Sequence, residues 1–187
     1  MNFDDAIDEL NKYLEDDAKA IVNYISNYKS ILPPSPINIK LNAFDEIIFF
    51  NRDPIKGTPE NKLLSSKKGI YVFIMTTNYQ RTSKFNHVYY GAPLRDLTIL
   101  TFSSGVILYL GTAKSILTRM HQHFATDNDY NRTGSLKLGS INRQSLLGSF
   151  MIYAFCIKDK YAKYYPLIGP TVEKYLHNNL SVLVGNN

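Results

Sequence analysis

The sequence predicts a mixed α/β (α+β) fold, a small central sheet of three strands flanked by helices, and three stretches carry that expectation. Val106 to Leu110 is an apolar run short enough for a buried strand, and beyond Gly111 the residues Ile116, Leu117, Met120 and Phe124 recur at helical spacing. Lys68 to Met75 alternates Tyr71, Phe73 and Met75 with Ile70, Val72 and Ile74, the pattern of a second strand that pairs with the first. Phe150 to Ile157 is apolar throughout, as expected of a third strand buried on both faces. Pro170 then opens a last helix with Val172, Tyr175, Leu176 and Leu180 on its buried side, which puts Glu173 in the first turn, where the helix dipole favours a carboxylate.

Taken in order, residues 1–36 form an N-terminal helical arm and linker. Phe3, Ile7, Leu10, Leu14, Ile21, Ile25 and Tyr28 are spaced by threes and fours or their sums, which predicts one long amphipathic helix or two short ones broken near Asp16-Asp17. Pro33-Pro34-Ser35-Pro36 ends it, because proline has no amide hydrogen and disfavours helical geometry in the residue before it. Residues 37–68 connect the arm to the core. Ile37, Ile39 and Leu41 alternate as in a strand, Ile47 to Phe50 is another apolar run, and Arg52 to Glu60, rich in Pro and Gly, reads as loop.

The core, 69–187, contains two polar excursions. The first, 76–104, carries Arg81, Lys84 and His87 and a strand segment, Leu97 to Phe102, expected to form a hairpin with Val106 to Leu110. The second, 125–149, places Arg132, Lys137 and Arg143 among Gly, Ser and Asn, and suits a phosphate-contacting segment. Within the strand Val106 to Leu110, alternation assigns Ile107 and Tyr109 to one face and Val106, Leu108 and Leu110 to the other. Gly111 ends that strand and Thr112 caps the helix, on which Arg119 and His123, four apart, emerge side by side beside a tyrosine.

Composition narrows the function classes. The single Cys156 lies in an apolar strand, which excludes a disulfide framework or a cysteine-rich zinc site and predicts a buried free thiol. No stretch approaches a membrane span and the acidic start does not resemble a signal peptide, so a cytoplasmic protein is expected. Abundant Asn, Lys, Ile and Tyr point to an AT-rich coding genome, bacterial or phage. The net charge of +5 conceals an asymmetry: residues 1–17 carry Asp4, Asp5, Asp8, Glu9, Glu15, Asp16 and Asp17 against Lys12, so the rest of the chain is strongly basic, as suits a polyanionic partner such as nucleic acid.

Gly69-Ile70-Tyr71, then Tyr109-Leu110-Gly111, Arg119 eight residues after that glycine, His123 four further on and Glu173 in a late helix form an ordered set that resembles the GIY-YIG nuclease family. Gly111 to Lys114 looks like the family's usual continuation. The two tyrosines stand farther apart than in compact members, which implies an insertion between the motif strands. The resemblance implies a three-stranded antiparallel central sheet and Mg2+- (or Mn2+-) dependent hydrolysis of phosphodiester bonds in double-stranded DNA. It also implies roles: Tyr71 accepts the attacking water's proton with Tyr109 orienting it or sharing that task, Lys114, Arg119 or His123 favours the phenolate, Arg119 holds the scissile phosphate, and Glu173 is the metal ligand. Asn187, or Asn186, matches an asparagine that the family places beyond the last helix.

With no second domain to read, a core with long insertions resembles a type II restriction endonuclease, for which a homodimer is the economical way to cut both strands. The alternatives are a phage or repair nuclease of the same family and a DNA-binding module that keeps the fold without the chemistry. A competing metal site, Asp53 with Glu60 and Lys62, has the right residue types, but that chemistry wants the Glu-x-Lys pair on a strand and Pro59 disfavours one there.

Overall fold

Apolar runs that the sequence spreads over more than a hundred residues meet in one sheet with helices on both faces. The computed structural model describes residues 3–27, 39–51, 55–76, 79–81, 100–102, 105–125, 136 and 150–184. Among these the helices are α1 (Phe3–Asn27), α2 (Pro59–Leu64), α3 (Ile116–Phe124) and α4 (Tyr165–Asn179). The strands are β1 (Phe44–Phe50), β2 (Gly69–Met75), β3 (Tyr79–Arg81), β4 (Leu100–Phe102), β5 (Ile107–Ala113), β6 (Phe150–Ile157) and β7 (Val182–Val184). The main sheet runs β1-β6-β2-β5-β7, antiparallel across its first four strands, with β7 parallel to β5. The expected three strands are therefore its centre, and among the described residues the sheet has five.

Both faces of β2 are covered, and every one of its residues is buried. On one face Tyr71, Phe73 and Met75 pack with Leu64 of α2 and with Ile116, Met120 and Phe124 of α3. On the other, Ile70, Val72 and Ile74 pack with α1 and α4 through Leu14, Ile21, Ile168, Val172 and Leu176. The first excursion diverges from expectation where it can be described: Leu100–Phe102 pairs with Tyr79–Arg81 in a separate two-stranded ribbon, and among the described residues it does not pair with β5.

A β-bulge shifts the phase of β5. Phe73 pairs with Tyr109 and Ile74 with Ile107, so Leu108 is an extra residue. Ile107 consequently joins the α1/α4 side while Leu108 and Tyr109 join the α2/α3 side, which corrects the simple alternation. Two glycines make the strands' approach possible. A Cβ on Gly69, whose φ is +157°, would collide with the carbonyl oxygen of Phe155, and one on Gly111 would lie 2.8 Å from the Tyr71 hydroxyl.

α1 is continuous across Asp16-Asp17. The reason is that the Asp17 carboxylate, 1% exposed, turns inward and accepts from the amides of Asn42 (2.7 Å) and Ala43 (2.7 Å) and from Asn42 Nδ2 (3.1 Å). These amides are thereby diverted from strand pairing, and the described part of the Ile37–Leu41 alternation is not a strand. Tyr24 then sets its ring edge-on against Tyr153 and Phe155. The late helix also starts earlier than expected: a 3-10 turn (Asp159–Tyr164) leads into α4, Pro166 sits in the first turn, and Pro170 lies inside the helix on its exposed side. Glu173 is thus well past the first turn, and the dipole account of it falls away. No helix among the described residues is long and apolar enough to cross a membrane.

Asp17→Ala should lower the free energy of unfolding by about 3 kcal/mol, since it strips a charged acceptor from buried backbone amides. Urea unfolding measures this, and a change below roughly 1 kcal/mol would mean that α1 docks without help from that carboxylate.

Candidate active site

Four of the expected side chains converge on the α3 side of the sheet. Ser115 caps α3 by accepting from Thr118 N (3.3 Å), and Ile116 N donates to Lys67 O (3.0 Å), which fixes the start of the helix against the start of β2. The cap is Ser115; Thr112, the expected one, lies inside β5. One turn along, Arg119 Nε donates to the Tyr71 hydroxyl (3.1 Å), Nη2 to the Tyr109 hydroxyl (3.3 Å) and Nη1 to Gln122 Oε1 (2.8 Å). His123 Nε2 lies 3.1 Å from the same Tyr71 oxygen. The tyrosine rings are stacked with centroids 6.0 Å apart, and the imidazole meets Tyr109 edge-on at 4.7 Å.

Leu136 settles the role of the imidazole. Its main-chain N–H donates to His123 Nδ1 (3.0 Å), so Nδ1 is the acceptor and Nε2 carries the proton. Nε2–H therefore donates to Tyr71, whose oxygen accepts from His123 and from Arg119 together. Both contacts are needed because Tyr71 is wholly excluded from water, and a buried hydroxyl without partners is costly.

Burial acts most strongly on Tyr71, pushing the phenol well above its ordinary 10.0, and the neighbouring Tyr109 adds to the rise while Arg119 pulls the other way. At Tyr71 desolvation outweighs the guanidinium and so works against the phenolate that the resemblance implies. For Arg119, burial works against the charge, but the two phenols outweigh it and its pKa rises.

The remaining expected residues are placed differently. Glu173 accepts from Thr112 Oγ1 (2.7 Å) and lies 4.0 Å from His177 Nε2. Thr112 pairs with Ile70, so this contact is on the α1/α4 side, yet Thr112 follows Gly111, which backs the Tyr71 hydroxyl. A partly exposed carboxylate held by a neutral hydroxyl suits a hard cation that keeps most of its waters, so the donor chemistry fits Mg2+ with Glu173 as ligand. Among the described residues no group of three or more His, Cys, Asp or Glu is gathered for a metal. Lys114 is exposed on the turn between β5 and α3.

Arg81 lies in the two-stranded ribbon, and Lys84, Arg132, Lys137, Arg143, Asn186 and Asn187 fall outside the described residues. So does Asp53, while Glu60 and Lys62 stand two apart on the helix α2 and do not share a face, which removes the competing metal site. Sequence reasoning missed Gln122, Thr112 and Leu136. Gln122, three residues from Arg119 on a helix, was findable by spacing. No protein-family model, curated protein or solved structure matches the chain.

Long-range 1H–15N spectra should find His123 neutral with the proton on Nε2, and a proton on Nδ1 would refute the contact with Leu136. Unfolded Tyr71 titrates near 10.0 and the folded residue above it, so the neutral phenol's contribution is complete below that pH and is lost as pH climbs toward the folded value. Tyr71→Phe should flatten the alkaline fall in stability, and an unchanged slope in denaturation against pH would assign that fall to other groups.

Proposed function

We propose that the chain is a Mg2+-dependent endodeoxyribonuclease with a GIY-YIG core, acting on double-stranded DNA, and that its setting is a type II restriction enzyme working as a homodimer. The observation that carries this reading is the convergence of Arg119 and His123 on the hydroxyl of Tyr71, with Tyr109 bonded to the same guanidinium. Phosphodiester hydrolysis joins a water oxygen to phosphorus and breaks the bond to the 3′ oxygen. The water's proton must go to a base, and the departing oxygen must receive one.

Arg119, pinned through Nε and Nη2, presents a pre-oriented planar cation to a phosphate. Tyr71 is 0% exposed and Tyr109 8%, so we assign the water's proton to Tyr109, the less buried phenol, reacting as its phenolate beside the Arg119 cation. The departing 3′ oxygen takes a proton from solvent, and Tyr71 with His123 positions the guanidinium. This reassigns the role given to Tyr71 by resemblance. Glu173 would hold the metal ion, which when bound supplies charge stabilisation for the leaving oxygen. The full burial of Tyr71 is also what favours a second reading, a DNA-binding module without chemistry.

The two part in one experiment. Wild type with Mg2+ should cleave duplex DNA, while Arg119→Ala and Glu173→Ala should each lose about a hundredfold or more. Undiminished cleavage by either variant defeats the proposed mechanism, and salt-sensitive binding without cleavage under Mg2+ or Mn2+ establishes the second reading.

A further inference from the structure

The strand register gathers a second set of charges. Gly69 at the start of β2 pairs with Ala113 at the end of β5 and with Cys156 near the end of β6, so the residues flanking these positions share one end of the sheet. They are Lys67 and Lys68 before β2, Lys114 after β5, and Lys158, Lys160 and Lys163 after β6. Contacts hold them there. Lys68 Nζ donates to Ala162 O (3.1 Å), between Lys160 and Lys163, and Lys158 Nζ donates to Leu41 O (2.9 Å). Lys67 and Lys158 have acids at the edge of ion-pair range, Asp159 (3.8 Å) and Asp45 (3.9 Å). Lys160 and Lys163 are exposed, each with its ammonium over the ring of the next residue, Tyr161 at 4.7 Å and Tyr164 at 4.8 Å.

We propose that this end of the sheet is a phosphate-tracking surface for the backbone of duplex DNA, an inference that rests on the nuclease reading and gives its DNA contact a footprint at one end of the central sheet. Two observations choose that partner. The lysines sit at three neighbouring strand ends about 4.8 Å apart. They therefore span on the order of 10 Å, enough for about three successive phosphates at roughly 3.4 Å each along the helix axis. The surface also adjoins the candidate active site, because the Tyr71–Gly111 pair is two residues in from Gly69–Ala113, about 7 Å along the strands. DNA seated on the lysines would pass beside Arg119. The acidic α1 packs in the layer of α4, which Tyr161 and Tyr164 also join, and there Glu15 is paired to Lys19 and Asp17 to backbone amides.

The test is binding, read apart from cleavage. A short labelled duplex of mixed sequence is titrated without divalent metal at several KCl concentrations, by fluorescence anisotropy. Lys160→Glu with Lys163→Glu should weaken binding about tenfold or more, and the corresponding Gln pair should reduce the slope of log affinity against log salt by roughly 1 to 2. Lys56→Glu, in the exposed turn ahead of α2, should bind as wild type. Wild-type affinity and slope in the Lys160/Lys163 variants, an equal loss in Lys56→Glu, or no binding by wild type overturns the surface. Failure of the hydrolytic reading looks different, as binding through these lysines with no cut product.

Discussion

A phenol oxygen sealed from water has to find its hydrogen bonds inside the protein, and the Tyr71 hydroxyl organises the α3 side of the sheet on that account. It needs a glycine opposite, because a side chain on Gly111 would occupy its place. It needs α3 docked so that Arg119 and His123, one turn apart, both reach it. That docking in turn depends on Ile116, Met120 and Phe124 filling the space beneath. A helix rotated by one residue, about 100°, would carry both donors away and leave the hydroxyl unsatisfied. Packing and polar contacts thus select the same register of helix on strand.

The same burial sets what the site can do. Arg119 is a cation placed among uncharged phenols, and its hydrogen bonds to them orient the guanidinium plane before any anion arrives. Preorganisation of that kind is worth most where water is excluded, since no solvent has to be displaced or reoriented when charge develops. Burial exacts a penalty from the innermost tyrosine, because the environment that fixes its position also opposes its ionisation. The deeper phenol is thereby held in its neutral form.

Much of this was legible in the sequence. The runs Lys68 to Met75 and Val106 to Leu110 gave β2 and the heart of β5, the unbroken run Phe150 to Ile157 gave a doubly covered strand, and the spacing of Ile116, Met120 and Phe124 gave α3 and the shared face of Arg119 and His123. What escaped was set by tertiary context. The bulge at Leu108 leaves no trace in hydropathy, because Ile107, Leu108 and Tyr109 are apolar on either face. β1 begins Phe44-Asp45-Glu46, which hides an edge strand, and β7 is too short to signal itself. The early start of α4 was masked by two prolines, of which Pro166 lies in the first turn and Pro170 is tolerated inside. Leu136 acts through its backbone N–H, a group every residue but proline carries, so its side chain could not announce its contact with His123.

Strand β5 connects the polar groups of the two layers. Among the described residues β7 pairs with β5 at Ile107 and Tyr109, on the side of β5 away from β2. A sheet normally separates what its two faces hold. β5 nevertheless serves both layers, because successive residues of a strand face opposite sides of the sheet. Thr112 turns toward α4 and receives Glu173, while its neighbour Gly111 lies under the phenol bonded to Arg119. Basic and acidic functions are thereby supplied by different layers, α3 and α4, and each can be anchored in its own apolar cluster without burying one against the other. Arg119 is held by the two phenols and Gln122, and Glu173 by Thr112, so each charged group finds its partners within its own layer.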